Sequence, residues 1–241
     1  SIHAEPLEPH EVSGTGGIVT ADNKDASEVG AQILREGGGA ADAAVATALM
    51  LGVLQPFASG IGGGGFAVIY RADATQPKSA ETRTLKYLDP KTEIDSLTLK
   101  IGQGLAYTLD FREVAPLKAH RDLYLDKEGT PVPMLSRVGA LAAGVPGEIA
   151  GLYVLHQRHG KLPWARVVEP AIRAAVDGFP MHTLLHKYTV MYIDRVKHSP
   201  TLARALLDTK GAAHPIGATV RFPELGRTLT QVARRGADGF Y

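Results

Sequence analysis

A run of small and apolar residues at positions 37–70 constrains the fold of this chain more than any other feature. Alanines dominate the helix predicted at Ala40–Leu54, and their small side chains allow close packing on every face. Glycine then fills five of the six positions from 60 to 65, immediately before an apolar strand predicted at Phe66–Arg71. Because glycine lets backbone segments approach closely, this pattern predicts a packing junction between a buried helix and a strand covered on both faces.

The glycine turn also fits the nucleotide-binding pattern G-x-G-x-x-G by letter, through Gly60, Gly62 and Gly65. In a dinucleotide site, however, the pattern follows a strand and opens a helix, so that the pyrophosphate meets the helix N-terminus. Here the helix precedes the turn and the strand follows it. No Gly-Lys-Ser/Thr follows to make a P-loop. The order of elements therefore argues against a phosphate site in this turn.

Composition excludes several classes of partner and site. The 241 residues are 44% hydrophobic, enough to bury a substantial core, and we expect residues 1–241 to form a single domain. The net charge of +1, from 26 basic and 25 acidic residues, provides no field to attract nucleic acid or an anionic membrane. Cysteine is absent, which excludes disulfides and thiolate chemistry. No run approaches the ~20 apolar residues of a membrane span.

Hydrophobic periodicity and punctuation by Gly and Pro predict an α/β (α+β) architecture with a largely helical C-terminal half. A capping box of Asp25 and Glu28 is expected to begin the first helix. The expected elements are a strand at 17–20, helices ending at Gly37 and at 54, a hairpin at the sheet edge within 72–103 that includes a strand at 84–89, an alternating strand at 105–111, and helices at 146–160, 163–178, 184–196 and 224–235.

Arg112 is the most interesting candidate for a binding residue. It lies at the end of the strand predicted at 105–111, where a guanidinium can hold a carboxylate through two parallel hydrogen bonds. Asp110 and Glu113 lie close enough to form an ordinary surface ion pair with it, and on these residues alone that interpretation is favoured. The nine histidines are scattered, and the chain contains neither H-E-x-x-H nor G-x-S-x-G.

Several motifs together resemble the large subunit of the γ-glutamyltransferase (γ-glutamyltranspeptidase) family, and they occur in the family's order over nearly the whole chain. Each motif is weak alone, but the set is specific. The motifs are Asp22-Asn23 with Ala26-Ser27, the GGAADAAVA stretch at 38–46, SGIGGGGF at 59–66, DFREVAP at 110–116, GVPG at 144–147, residues 162–170, and the closing GAD at 236–238 with Phe240-Tyr241.

This resemblance implies an N-terminal nucleophile (Ntn) hydrolase with an αββα layered sandwich, made as a precursor that cleaves itself before a threonine. The new N-terminal threonine of the small subunit would attack the γ-glutamyl amide of glutathione, with its own α-amine as base. The acyl-enzyme would then pass the glutamyl group to water or to an amino acid or peptide. Arg112 matches the arginine that binds the donor's α-carboxylate, which reverses the preference for a surface pair. The resemblance implies a small-subunit partner, no cofactor, and a periplasmic or extracellular location.

Departures from the family pattern leave alternatives open. The sequence ends before the position of self-cleavage, so we expect no catalytic residue within these 241 residues and no activity from them alone. Ser1 is rejected as a nucleophile, because a polar, Pro-interrupted segment follows it instead of a buried strand. The segment between Tyr70 and Leu105 is longer than in bacterial members. The alternatives are a β-lactam side-chain (glutaryl or cephalosporin) acylase of the same superfamily, and a noncatalytic structural or binding subunit.

Overall fold

The computed structural model describes residues 15–72, 81–86, 93–101 and 104–241, so the opening segment with Ser1 lies outside the described residues. Two short 3₁₀ helices, Ala140–Ala142 and Gly236–Gly239, accompany the main elements. In chain order these are α1 (Lys24–Arg35), α2 (Ala40–Leu54), β1 (Phe66–Arg71), β2 (Glu81–Lys86), β3 (Glu93–Ile101), β4 (Gly104–Asp110), α3 (Glu148–His159), α4 (Trp164–Asp177), β5 (Phe179–Pro180), α5 (Thr183–Met191), α6 (Ile193–His198), α7 (Pro200–Leu206), β6 (Thr219–Val220) and α8 (Pro223–Arg235).

The first two helices form where the sequence predicts them. The capping box predicted for Asp25 and Glu28 is wrong, because Asn23 caps α1 instead. Its side-chain oxygen accepts hydrogen bonds from the N–H groups of Asp25 (2.9 Å) and Ala26 (3.3 Å). The alanine-rich α2 has the predicted bounds and packs against α1, α3 and α4. The strand predicted at 17–20 is absent, since no described strand pairs with these residues.

The main sheet has the strand order β1-β4-β3-β2, and each described pair is antiparallel. Within the described sheet β1 is an edge strand, and it pairs with β4 in the register Phe66 opposite Asp110 through Arg71 opposite Leu105. The predicted edge hairpin is confirmed, since β2 pairs with β3 and lies at the sheet edge. The strand predicted at 84–89 begins three residues earlier, and positions 87–90 lie outside the described residues.

One face of β1 is open, and the prediction that both faces are covered is wrong for this chain. Ala67 and Ile69 pack on the core. Phe66, Val68 and Tyr70, on the other face, are 64%, 75% and 55% exposed. Large apolar side chains clustered at a surface mark an interaction site more often than an ordinary solvent face. These three residues form what we call the open face.

The C-terminal half is helical, as predicted, with shifted boundaries. α3 starts at Glu148, two residues after the predicted start, and ends before Gly160 as predicted. α4 follows Pro163 and ends before Gly178, whose φ of +96° favours glycine. The helix predicted at 184–196 divides at Tyr192 into α5 and α6.

A single buried cluster joins these helices to the sheet. The indole N–H of Trp164 in α4 donates to the carbonyl oxygen of Val232 in α8 at 2.8 Å, which ties the two helices together inside the core. Leu109 and Phe111, at the end of β4, belong to the same cluster as α2 and α3. The chain immediately after β4 is therefore anchored to the helical layer. Among the described residues, we find no helix with the length and apolar character needed to cross a bilayer.

Candidate functional site

The segment that follows β4 is held by backbone contacts on both sides. Phe111 extends the β1–β4 ladder by one pair, because its N–H donates to Gly65 O at 2.9 Å and its carbonyl accepts from Gly65 N–H at 3.3 Å. A Cβ atom on Gly64 would lie 2.3 Å from the Phe111 carbonyl oxygen, and one on Gly147 would lie 2.0 Å from it. Such distances admit only glycine. The glycine turn is thus the packing junction that the sequence predicts, and the chain's own backbone approaches it.

The ring of Phe111 completes this junction. It is buried, and a Cβ atom on Gly151 in α3 would lie 2.1 Å from its Cγ. The carbonyl of Gly63 accepts hydrogen bonds from the N–H groups of Gly147 (2.9 Å) and Glu148 (3.0 Å). The glycine turn, the end of β4 and the start of α3 consequently form one close-packed unit, which we call the glycine junction.

Arg112 follows Phe111 of the glycine junction and lies at the edge of the open face. Its backbone N–H donates to Asp110 Oδ1 at 3.0 Å, and its Nε donates to Glu113 Oε2 at 3.0 Å. Its Cζ lies 5.6 Å from the centre of the Phe66 ring, within cation–π range. The side chain is 60% exposed, so the ion pair with Glu113 alone is worth little. The contact does occupy the guanidinium edge that carries Nε.

Glu113 stays ionised beside this guanidinium. The pKa of its carboxyl is lowered first by a hydrogen bond from its own backbone N–H and then by the hydrogen bond from Arg112. Charge-assisted hydrogen bonds of this kind favour the carboxylate form. Arg112 and Glu113 together present a fixed charged pair at the end of β4.

Glu148, the first residue of α3, has a different environment. Burial raises the pKa of its carboxyl to about 7, and repulsion from Glu113 contributes in the same direction. The nearby Tyr241 hydroxyl donates to Pro146 O at 2.6 Å, and burial raises its pKa to about 12. Near neutral pH, the site therefore contains the ionised carboxylate of Glu113 and a partly protonated carboxyl group on Glu148.

An open cavity of about 370 Å³ lies between the glycine turn and these two carboxyl groups. Arg112 does not line it, whereas its neighbour Glu113 does. The lining residues are Pro56, Phe57, Ala58, Ser59, Gly60, Gly62, Gly63, Gly64, Glu113 and Glu148. Such a cavity suits a small polar ligand better than an apolar one, because backbone groups and two carboxyls form much of its wall.

The sequence analysis identified Arg112 but missed Glu148 and the cavity. The GVPG motif at 144–147 was a usable signal for Glu148. This residue follows the motif directly and begins α3, whose start packs on the glycine turn. Among the described residues, no group of three or more His, Asp or Glu side chains could hold a metal ion.

Comparison with known proteins identifies the family. The γ-glutamyltranspeptidase family model matches residues 26–84 and 97–241. Glutathione hydrolase 3 of Arabidopsis thaliana is 36% identical over 230 residues, which is 95% of this chain and 31% of that protein. The glutathione hydrolase proenzyme of Pseudomonas aeruginosa is 36% identical over 226 residues, 94% of this chain and 34% of that protein. The chain thus spans about a third of the length of these relatives.

Solved structures agree with the sequence matches. The crystal structure of Helicobacter pylori γ-glutamyltranspeptidase superposes with a TM-score of 0.79 at 31% identity, covering 96% of this chain and 58% of that one. A cephalosporin acylase from Bacillus halodurans, at 23% identity and a TM-score of 0.64, covers all of this chain and 41% of that one, and shares the fold alone. The predicted mixed α+β fold of the Ntn-hydrolase type is confirmed by these superpositions. The family model, the related sequences and the solved structures together show that the chain belongs to the γ-glutamyltranspeptidase family.

Proposed function

We propose that this chain is the large-subunit part of a γ-glutamyltransferase or glutathione hydrolase. The complete enzyme would transfer the γ-glutamyl group of glutathione, or of another γ-glutamyl amide, to water or to an amino acid or peptide. The attacking threonine would belong to a small subunit produced by self-cleavage. Family membership and the geometry of Arg112 at the glycine junction support this function.

Arg112 is the residue that we propose binds the donor's α-carboxylate. Its backbone position is held by the packed glycine junction, and its Nε donates to Glu113. The two Nη groups form the other edge of the planar fork, and a carboxylate can accept hydrogen bonds from both. The contact with Glu113 uses Nε and therefore leaves this second edge for the substrate's carboxylate.

The open face is the surface that we propose contacts the small subunit. Its three large apolar side chains, Phe66, Val68 and Tyr70, match the inner face of a two-sheet sandwich, in which facing sheets interdigitate about 10 Å apart. The face adjoins the Arg112 guanidinium through the Phe66 ring. A second sheet docked there would bring its own residues next to the carboxylate-binding fork.

We propose that the protein is located in the periplasm or outside the cell, because bacterial members of the family are mostly exported. Fractionation of cells that produce the full-length protein tests this. Activity confined to the cytoplasmic fraction would contradict it.

Substitution of Arg112 tests the proposed role in the complete enzyme. Arg112→Ala should lower kcat/KM for γ-glutamyl-p-nitroanilide by about 10²- to 10³-fold, as expected when a charge-assisted pair worth roughly 3–4 kcal/mol is lost. Arg112→Lys should restore part of this loss, since an ammonium keeps the charge but lacks the planar fork.

The matched control is Arg137→Ala, which removes an exposed arginine elsewhere on the surface. It should leave kcat/KM unchanged. An Arg112→Ala enzyme with the parent value of kcat/KM would exclude the proposed role of Arg112.

The β-lactam side-chain acylase remains the second candidate, because an arginine in the place of Arg112 would equally suit the carboxylate of a glutaryl group. Both chemistries need a residue for a terminal carboxylate, so the chain's own residues do not separate them. Hydrolysis of γ-glutamyl-p-nitroanilide compared with a glutaryl amide by the same enzyme does. Preference for the glutaryl compound would replace the transferase assignment. A complete gene without a processing threonine would instead favour the noncatalytic subunit.

A further inference from the structure

A second cavity, of about 400 Å³, lies at the other end of β1 from Arg112. Its wall is strongly basic, and none of its lining residues is acidic. We call it the basic cavity. The residues that line it are Gly39, Ala40, Ala41, Ile69, Tyr70, Arg71, Arg158, His159, Gly160 and Lys161.

The four basic residues come from three separate elements, and three of them, Arg71, Arg158 and Lys161, carry a positive charge at neutral pH. Arg71 ends β1, Arg158 and His159 occupy the last turn of α3, and Lys161 follows Gly160 in the connection to α4. Their basic ends meet around one opening, together with the start of α2. The exposed side chains of Arg158 and Lys161 make no ion pair with the described residues.

The first turn of α2 forms the floor of the basic cavity. Gly39 caps this 15-residue helix without a side chain, and a Cβ there would lie 3.5 Å from Lys161 Cε. The aliphatic stem of Lys161 therefore lies over the helix start. N–H groups in a first helical turn favour negative charge, so the floor and the walls attract the same kind of ligand.

Asp42 is an acidic residue next to the cavity, and its Oδ2 is already engaged by hydrogen bonds. Its side chain is buried, and its Oδ2 accepts hydrogen bonds from Gly39 N–H (2.7 Å) and Lys161 N–H (2.9 Å). Its Oδ1 lies 3.4 Å from Nε2 of His156. This single carboxylate offsets only part of the positive charge of Arg71, Arg158 and Lys161.

His159 reports the electrostatic character of the cavity. Its Nδ1 is buried and has no hydrogen-bond partner among the described residues. Burial lowers the pKa of the imidazole, and the positive charges of Arg71 and Arg158 lower it further. An anion placed among these groups would counter that repulsion and would let the imidazole become a donor.

We propose that the basic cavity binds a small molecule through an oxyanion group of the phosphate or sulfate type. Guanidinium and ammonium groups from three directions suit an oxyanion with several acceptor oxygens better than a single carboxylate. The five steps of β1 separate this cavity from Arg112 by about 17 Å at 3.3 Å per residue. It is therefore a site distinct from the donor site and goes beyond the proposed function.

Calorimetric titration of inorganic phosphate into the full-length protein, at constant ionic strength, tests the proposal. We expect saturable binding with a Kd of about 1 mM or lower, and at least about tenfold weaker binding after combined Arg158→Ala and Lys161→Ala substitution. Parallel titrations with sulfate and pyrophosphate identify the preferred oxyanion. Since the cavity is larger than one phosphate group, pyrophosphate should bind more tightly.

Arg137→Ala is the matched control, because it removes one exposed positive charge far from the cavity in sequence. It should change the Kd by less than about twofold. Should the double variant not fold, the NMR signals of the His159 ring in the parent protein provide the second readout, and they should shift on phosphate addition. Absence of saturable binding, or an unchanged Kd in the folded double variant, would overturn the proposal. Neither readout depends on γ-glutamyl turnover, so a failure here is distinguishable from a failure of the proposed function.

Discussion

Replacing Glu148 with glutamine should change how the stability of this chain depends on pH. Burial and Glu113 raise the pKa of Glu148 from its ordinary value of 4.5 to about 7 in the folded protein. Between these two values the folded chain holds a proton that the unfolded chain has lost, so the contribution is fully present below pH 4.5 and is lost as the pH rises through 7. At pH 8 the ionised carboxylate then costs roughly 2–3 kcal/mol of unfolding free energy, allowing for partial contact with water.

Glu148→Gln removes the ionisation and nearly preserves the shape. Thermal unfolding of the 241-residue chain is followed by circular dichroism at pH 5 and pH 8. The change in Tm between the two pH values is then compared between the parent and the variant. The parent chain should lose about 4–12 °C more in Tm between the two pH values than the variant does, using 2–4 °C per kcal/mol for a chain of this size.

Glu128→Gln is the matched control for this measurement, because Glu128 is exposed in a surface turn. It should retain the parent pH dependence. Equal loss of Tm in the parent and the Glu148→Gln variant would refute the assignment of a buried, proton-holding carboxyl group beside the cavity.

Two further substitutions test the glycine junction and the open face. Gly151→Ala should lower the unfolding free energy by about 2 kcal/mol or more in denaturant titrations, because its Cβ would overlap Phe111, whereas Gly62→Ala meets nothing within 4 Å and should cost far less. A folded Gly151→Ala chain of parent stability would contradict the close contact. Val68→Lys should leave the chain folded but abolish its co-purification with the small subunit, while Val190→Lys, also at an exposed apolar position, should not. Normal assembly of the Val68→Lys protein would show that the open face is not the contact surface.

Local patterns in the sequence were enough to predict most of the helices. α2 has the predicted bounds and α4 lies one residue inside them at each end, because alanine content, helical periodicity and flanking Gly or Pro are all local signals. The division of the helix predicted at 184–196 was not predictable in this way, since Tyr192 is neither glycine nor proline. The cap of α1 was assigned to the wrong residue, because Asn23 and Asp25 are both good capping residues and only the backbone geometry selects between them.

The sequence proposes a site residue only where one side chain carries a strong chemical signal. Arg112 was selected from its position and its motif, and its role in binding stays a prediction. The environment of Glu148 depends on Gly63, Glu113 and Tyr241, which are distant in sequence and meet only in the folded chain. The exposure of one face of β1 could not be predicted either. An apolar strand indicates that both faces are covered, but not whether the layer over the second face belongs to the same chain.

The packing around Phe111 limits how this site can change. Glycines from two separate segments, the glycine turn and the start of α3, enclose the residue directly before Arg112, and larger side chains at these positions would collide with it. The backbone around Phe111 therefore has little room to shift in response to a longer or shorter substrate. Selection, or a protein engineer, would have to alter donor preference by exchanging side chains around a main-chain path that stays the same.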